Sequence, residues 1–549
     1  MSMKKASLIV LLSILSLKGH CQENQREEAR LLLGKMSLDQ KIGQMIMPGI
    51  SGKSLNGANR QMLREVQPGG ILLFGVNLAS AEKTARFLED VQRYAVSEGG
   101  MPLFVSIDQE GGRVVRITKG VTPFPGAMAV GSAGDETLTY EMARVLGLQL
   151  KELGVNMNLA PVLDVNNNPH NPVINNRSFG SSAELVSRMG AAYIRGLQES
   201  GCVAVGKHFP GHGDTNKDSH KTLPEIHHDM ARLESVEFLP FREAMKSGVE
   251  GIMSAHIYFP KILSEKTPAT LSRFFLTDLL RTKMKFGGLV ITDDMEMAGI
   301  PKKGGIGGAA VQSVLAGTDI ILLSTWGASV RSIVKALRQA VREGVLTEAR
   351  IDESVMRILE VKLRYGIITL RHGKANYQKR IPGEEGRKLL ARADEICDSL
   401  ARKSLYARGW SPGLYQSLRG GKGRLYLISH SARLRREMKA AFGSIILGSV
   451  KGFYGLRGSR KGDAGDIVLY HLDIVKLPVV RKMVQHARKK GITLCLLSTG
   501  NPFPLSEVKN LPPVIYAFSN TGPTMKALAR GLRGDFPIKS EIPLDLGFR

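Results

Sequence analysis

The sequence predicts an α/β protein of two unequal parts, a (β/α)8 barrel of the TIM type followed by a smaller α/β layer domain. Three observations predict it. Eight short apolar runs recur between residues 43 and 324, separated by stretches of helical periodicity. The polar residues of that region gather at the ends of the runs. A second, shorter series of apolar runs begins at residue 423, after a polar interval. Continuous apolar strands alternating with amphipathic helices form parallel sheets covered on both faces. Eight such units in roughly 300 residues match a closed barrel better than an open doubly wound sheet.

Taken in order, the runs fall at 43–50, 69–74, 102–108, 155–164, 202–208, 250–256, 288–293 and 317–324. Helical patterns lie between them, over 81–97, 136–152, 185–199, 231–247 and 270–284. The barrel domain is predicted over 22–370 and a connector over 371–420, polar at first and then helical through Leu400. The second domain, 421–549, carries apolar runs at 424–430, 444–450, 466–472, 492–499 and 512–519, enough for a five- or six-stranded layer. Gly421-Lys422-Gly423 precedes a strand instead of opening a helix after one, so it is no phosphate-cradling loop.

Composition narrows the class. Hydrophobic residues make up 43% and charged residues 23%, which excludes disorder and fibrous repeats. Lys4 and Lys5 precede an apolar stretch, Leu8 to Leu17, too short to span a bilayer comfortably. With Gly19-His20-Cys21 behind it, residues 1–21 read as a signal peptide and the chain as exported to the periplasm or cell envelope. A lipid anchor on Cys21 is the alternative, though Lys18 and His20 suit it poorly. The remaining cysteines, Cys202, Cys397 and Cys495, are too far apart to form a disulfide framework or a zinc ribbon. Net charge is +26, concentrated in the last third in runs such as Arg433 to Arg436 and Arg488 to Lys490. In an exported chain this favours envelope polyanions over nucleic acid as partners. A solvated basic face with no dedicated partner is the plainer reading.

Asp108, Asp164, Lys207-His208, His256 and Asp293 each end an apolar run. In a barrel these ends share one face, where catalytic residues collect. The densest cluster is the glycine-rich stretch from Lys207 to His220. Asp218 and His220 lie two apart, so a turn can bring carboxylate to imidazole, a device for proton transfer. No zinc-ligand spacing accompanies it, and Ser219 lacks the nucleophile elbow of a serine hydrolase. A loop stiffened by hydrogen bonds would use the same residues. Asp293 at its strand end can attack an electrophilic carbon, while Asp294 suits a helix cap. The segment Asp108 to Arg116 offers groups that grip sugar hydroxyls, or an internal salt-bridge network through Glu110 and Arg113.

Together these segments resemble glycoside hydrolase family 3, in its β-N-acetylglucosaminidase branch. Three stretches carry the resemblance: Lys207 to His220, Asp108 to Arg116, and Ala160 to Gly180. Asn175-Asn176-Arg177 departs from the pattern, which has a glycine there, and the change is expected only to alter a loop. The likeness covers residues 30 to 365, and the trailing domain matches in general layout alone. It implies Asp293 as nucleophile and His220 as general acid/base with Asp218 as its partner. It implies Asp108, Arg116, Arg177, Lys207 and His208 as the grip on a terminal N-acetylglucosamine. No metal and no organic cofactor is implied. The expected activity is retaining hydrolysis of β-linked N-acetylglucosamine from peptidoglycan fragments or chitooligosaccharides. Phosphorolysis, β-glucosidase activity and non-catalytic wall binding are the alternatives. Oligomeric state is left open.

Overall fold

The computed structural model describes residues 23–219, 221–300, 304–371, 374–378, 382–420, 423–456 and 466–541. The expected signal peptide therefore lies outside the described residues.

Eight parallel strands close into a barrel: β1 (Ile46–Pro48), β2 (Gly70–Leu73), β3 (Phe104–Ile107), β4 (Met157–Asn158), β5 (Val203–Phe209), β6 (Gly251–Ser254), β7 (Leu289–Thr292) and β8 (Ile321–Leu323). Strands β2 to β7 pair in sequence order, and β1 pairs β8 in register from Ile46↔Ile321. Single parallel bridges, Gly49↔Leu72 and Ile291↔Ile320, complete the ring. Each predicted run coincides with one of these strands, β5 extending one residue past its run to Phe209. The strands read as continuous apolar runs because both faces are buried. Leu72 joins Met47 and Phe104 inside the barrel, while Ile71 and Leu73 pack outward with Phe87, Leu88 and Val91 of the helix Ala81–Ser97. The predicted helices appear over Ala81–Ser97, Glu136–Glu152 and Ala183–Glu199. The segments Leu233–Glu237 and Phe274–Lys283 wind more widely, with i→i+5 hydrogen bonds.

At the lower end, Asp319 is buried and accepts from Arg357 at 2.9 Å, from the Ser354 hydroxyl at 2.8 Å and from the Val290 N–H at 2.9 Å, and it also pairs with Arg281. The cluster ties the amino end of the barrel together and belongs to stability, leaving the chemistry to the other end.

The second domain has strands β11 (Tyr406–Arg408), β12 (Leu425–Ile428), β13 (Ile446–Leu447), β14 (Ile467–Leu472), β15 (Thr493–Ser498) and β16 (Val514–Tyr516). They form a six-stranded sheet in the order β13-β12-β14-β15-β16-β11. Five are parallel, one for each predicted run. The sixth, β11, pairs antiparallel with β16 and comes from the stretch expected to be connector. Three residues without an apolar run around them give no strand signal; pairing with Val514–Tyr516 supplies it. A small hairpin, β9 (Thr369–Arg371) with β10 (Lys374–Asn376), spans the predicted boundary of barrel and connector, and the rest of the connector forms three helices, Glu384–Ala391, Ala393–Lys403 and Pro412–Gly420. Cys202, Cys397 and Cys495 are buried free thiols. No helix among the described residues is long and apolar enough to cross a membrane.

Candidate active site

A cavity of about 390 Å³ opens at the carboxyl end of the barrel. Asp108, Arg116, Arg177, Lys207, His208, Asp218 and Asp293 all line it. Seven of the eight residues singled out from the sequence therefore converge on one space. The eighth, His220, lies outside the described residues.

One wall is a chain of alternating charges. Lys207 donates to Asp108 Oδ1 at 2.8 Å and to Glu110 Oε1 at 2.7 Å. Arg177 forks onto Glu110, Nε to Oε2 at 2.9 Å and Nη2 to Oε1 at 2.8 Å. Arg116 reaches Asp108 Oδ2 at 3.4 Å. Burial would raise the Glu110 pKa, but Arg177 and Lys207 outweigh it and drive the carboxyl well below its ordinary range. Burial likewise works to lower Lys207, and Asp108 with Glu110 overcomes it, so the ammonium is held charged. Glu110 is thus the hub of an internal salt-bridge network, as the sequence allowed, but with other partners. Its expected partner, Arg113, is exposed at the cavity edge and makes no ion pair among the described residues. The true partners lie 67 residues away at Arg177, and on β5 at Lys207, beyond any local signal.

Successive strand residues normally face opposite ways. The pairing of β5 with β6 shifts register between Lys207 and Phe209, and this irregularity brings Lys207 and His208 to the same cavity. Behind His208 stands Asp164, fully buried. It accepts from His208 Nδ1 at 2.7 Å and from the backbone N–H of His208 and His212 at 3.1 and 2.6 Å. Burial opposes its ionisation, but His208 leads the groups that lower its pKa. An ionised Asp164 requires the proton of His208 on Nδ1.

His212 is the second buried histidine of the motif. Its ring contacts Thr215 Oγ1 at 3.1 Å and Ser219 Oγ at 2.9 Å, so it pins the loop on both sides of Asp218. Burial, helped by His208, pushes its pKa down to about 4, so it stays neutral. Gly213 allows this loop to close: a Cβ there would stand 1.7 Å from the Val165 carbonyl oxygen.

Across the cavity, Asp293 follows β7. Its Oδ1 accepts the Asp294 N–H at 2.8 Å. Burial works to raise its pKa, yet His208, His256, the Asp294 N–H and Lys207 together lower it. The carboxylate is therefore ionised at neutral pH. Asp294 does not cap a helix as its position suggested. It accepts the N–H groups of Glu296 at 3.0 Å and Ser324 at 3.1 Å and pairs with the Ser324 hydroxyl, tying the end of β7 to the end of β8. His256 is a buried support, with Nδ1 2.9 Å from Thr270 Oγ1 and Nε2 donating to the Asp294 carbonyl at 3.0 Å.

This arrangement offers an ionised carboxylate at a strand end, a wall of alternating charges and a second carboxylate, Asp218, on a loop. No group of residues suited to holding a metal occurs among the described residues. A model described as the glycosyl hydrolase family 3 N terminal domain matches residues 37–361, more than half of the chain. The chain belongs to glycosyl hydrolase family 3. Within the family it is 35% identical over 328 residues to a β-hexosaminidase A of Pseudoalteromonas piscicida, covering 55% of this chain and 54% of that protein. The chain thus spans about half the length of that relative. A β-hexosaminidase of Neisseria meningitidis serogroup B is 34% identical over 285 residues, 51% of this chain and 77% of that one. Among solved structures, a glycoside hydrolase family 3 β-N-acetylglucosaminidase from Paenibacillus sp. str. FPU-7 superposes with a TM-score of 0.81 at 35% identity. That likeness covers 93% of this chain and 99% of the other, so it includes both domains.

Proposed function

We propose that the chain is a retaining exo-β-N-acetylglucosaminidase acting on terminal β-linked N-acetylglucosamine of peptidoglycan fragments or chitooligosaccharides. The observation that carries the reading is an ionised Asp293 facing the charged wall of Asp108, Arg116, Lys207, Glu110 and Arg177 across one cavity. A pocket set at the end of the barrel suits the end of a glycan. Alternating donors and acceptors suit its hydroxyl groups.

In the first step, Asp293 attacks the anomeric carbon while His220, oriented by Asp218, gives its proton to the leaving oxygen. The glycosidic bond breaks and a glycosyl ester of Asp293 forms. Neutral His220 then takes a proton from water. The resulting hydroxide character attacks the same carbon, releases the Asp293 carboxylate and leaves the sugar with retained configuration. Lys207, Arg177, Arg116, Asp108 and His208 hold the sugar through both steps. The names of the relatives support the acetylated sugar over glucose. Export to the envelope belongs to the same proposal and rests on residues 1–21 alone.

The test is the purified chain on aryl β-N-acetylglucosaminide and aryl β-glucoside, with Asp293→Asn as control. Release from the acetylated sugar, lost in the variant, is the expected result. Equal release from both sugars, or undiminished release by Asp293→Asn, would overturn the assignment.

A further inference from the structure

The turn that follows β16 touches the barrel at two places that matter. Asn176 Nδ2 donates to the Phe518 carbonyl oxygen at 3.3 Å. The Gly126 N–H donates to Ser519 Oγ at 3.3 Å. Asn176 is the neighbour of Arg177, which forks onto Glu110. Gly126 lies against Gly112, in the loop that carries Asp108, Glu110 and Arg116. A Cβ on Gly112 would stand 2.6 Å from Gly126 Cα, with Ser519 Oγ at 3.7 Å. One turn of the second domain therefore rests on both loops that build the charged wall.

That turn is held from behind. Phe518 is fully buried and stacks on Tyr516 with ring centroids 5.8 Å apart, and Tyr516 stacks on Tyr406 at 5.9 Å. Phe518 has φ +54°, a conformation that a bulky residue adopts only when its surroundings impose it. On the barrel side, Asn175 has φ +52°, the conformation a glycine would supply there, and asparagine tolerates it. The departure at Asn175-Asn176 does more than alter a loop: it keeps the backbone turn and adds the side chain that reaches Phe518.

We propose that the Phe518–Ser519 turn of the second domain is a positioning element of the substrate pocket, holding Arg177 and the Asp108–Arg116 loop in place through Asn176 and Gly126. Phe518 and Ser519 touch no reacting atom. They act through the wall that binds the sugar. Loss of such positioning weakens binding of ground state and transition state alike, which raises KM and spares kcat. The kinetic arm rests on the proposed activity; the structural arm does not.

The experiment uses the whole chain with Asn176→Ala, which removes the donor without adding a charge, with Ser519→Ala, and with Ser519→Thr as rescue. Each of the first two is expected to raise KM for aryl β-N-acetylglucosaminide about three- to ten-fold, the worth of a neutral hydrogen bond, with kcat and Tm little changed. Ser519→Thr should restore KM. Hydrogen exchange should quicken in peptides spanning 108–126 and 171–180 in the two impaired variants, whatever the substrate. Unchanged exchange in both segments would overturn the proposal. So would a fall in Tm and kcat together with no change in KM. A wild-type chain inactive on the acetylated sugar would refute the functional reading instead, and the exchange arm would still decide this one.

Discussion

Each domain of this protein holds a buried histidine between two hydroxyl groups, His212 in the loop after β5 and His471 near the end of β14, yet only the first lines the candidate active site. At the barrel mouth, His212 lies between Thr215 and Ser219. In the second domain, His471 lies between Ser429 Oγ at 3.0 Å and Thr499 Oγ1 at 2.8 Å. Burial pushes both down to about 4. The difference is in the neighbours. His212 shares Asp164 with His208 and sits beside a cavity ringed by Asp293, Lys207 and Glu110. Among the described residues of the second domain beyond 421, no carboxylate is buried; the nearest, Asp473, is exposed and meets Asn520 at 3.4 Å. A polar strand end is thus no site by itself. A site needs several charges brought to one space and held there out of water.

The comparison breaks most sharply at Asp293. Asp293→Asn is expected to lower kcat on aryl β-N-acetylglucosaminide by about 10³-fold or more, since no nucleophile remains. A burst of aryl release with slow turnover would show instead that the carboxylate is not the attacking group. His220→Ala should slow the same reaction by about 10²–10⁴-fold, less for substrates with good leaving groups, which need little acid help.

Glu110→Gln strikes the wall without touching Asp293. It leaves Lys207 and Arg177 buried with their shared carboxylate gone, at a cost of about 3–5 kcal/mol. Denaturant unfolding should register that loss, and KM should rise by an order of magnitude. His471→Leu is the matching change in the second domain. It strands two hydroxyl groups, worth about 1–3 kcal/mol by the same measurement. KM is expected to stay at the wild-type value. A KM shift in His471→Leu would mean that the second histidine also serves the pocket.

The smallest effect is on acid stability. The unfolded chain protonates histidine near about 6.5, while folded His212 and His471 resist protonation down to about 4. Between these values the unfolded state binds more protons, so stability is full above the upper value and is lost as pH falls towards the lower. Tm measured from pH 7 to 4 should decline through this window. His471→Gln should reduce the slope without changing activity, and an unaltered slope would show that His471 contributes nothing.

Much of this was legible from residues alone. Each of the eight apolar runs coincides with a barrel strand, because a strand buried on both faces must be apolar throughout. Seven described residues chosen from motifs line one cavity, because closure of a barrel carries every strand end to the same rim. What stayed hidden were pairings across distance. Glu110 looked like a partner for Arg113, three positions on, and instead holds Arg177 and Lys207. Asp294 looked like a helix cap and instead ties β7 to β8. Strand β11 had no apolar pattern, since a half-buried Tyr406 and an exposed Arg408 on either side of one buried alanine need only an edge to pair with.

By itself, then, the sequence determined the kind and number of the barrel strands, the chemistry stored at their ends and the family they resemble. Periodicity and motif spacing are local, and burial enforces them residue by residue. Only the tertiary structure decided which charges neutralise which, which histidines stay neutral, and how the second domain meets the pocket. Those outcomes depend on distances of about 3 Å between groups as far apart in the chain as Asn176 and Phe518, and such distances exist only once the barrel has closed and the two domains have packed.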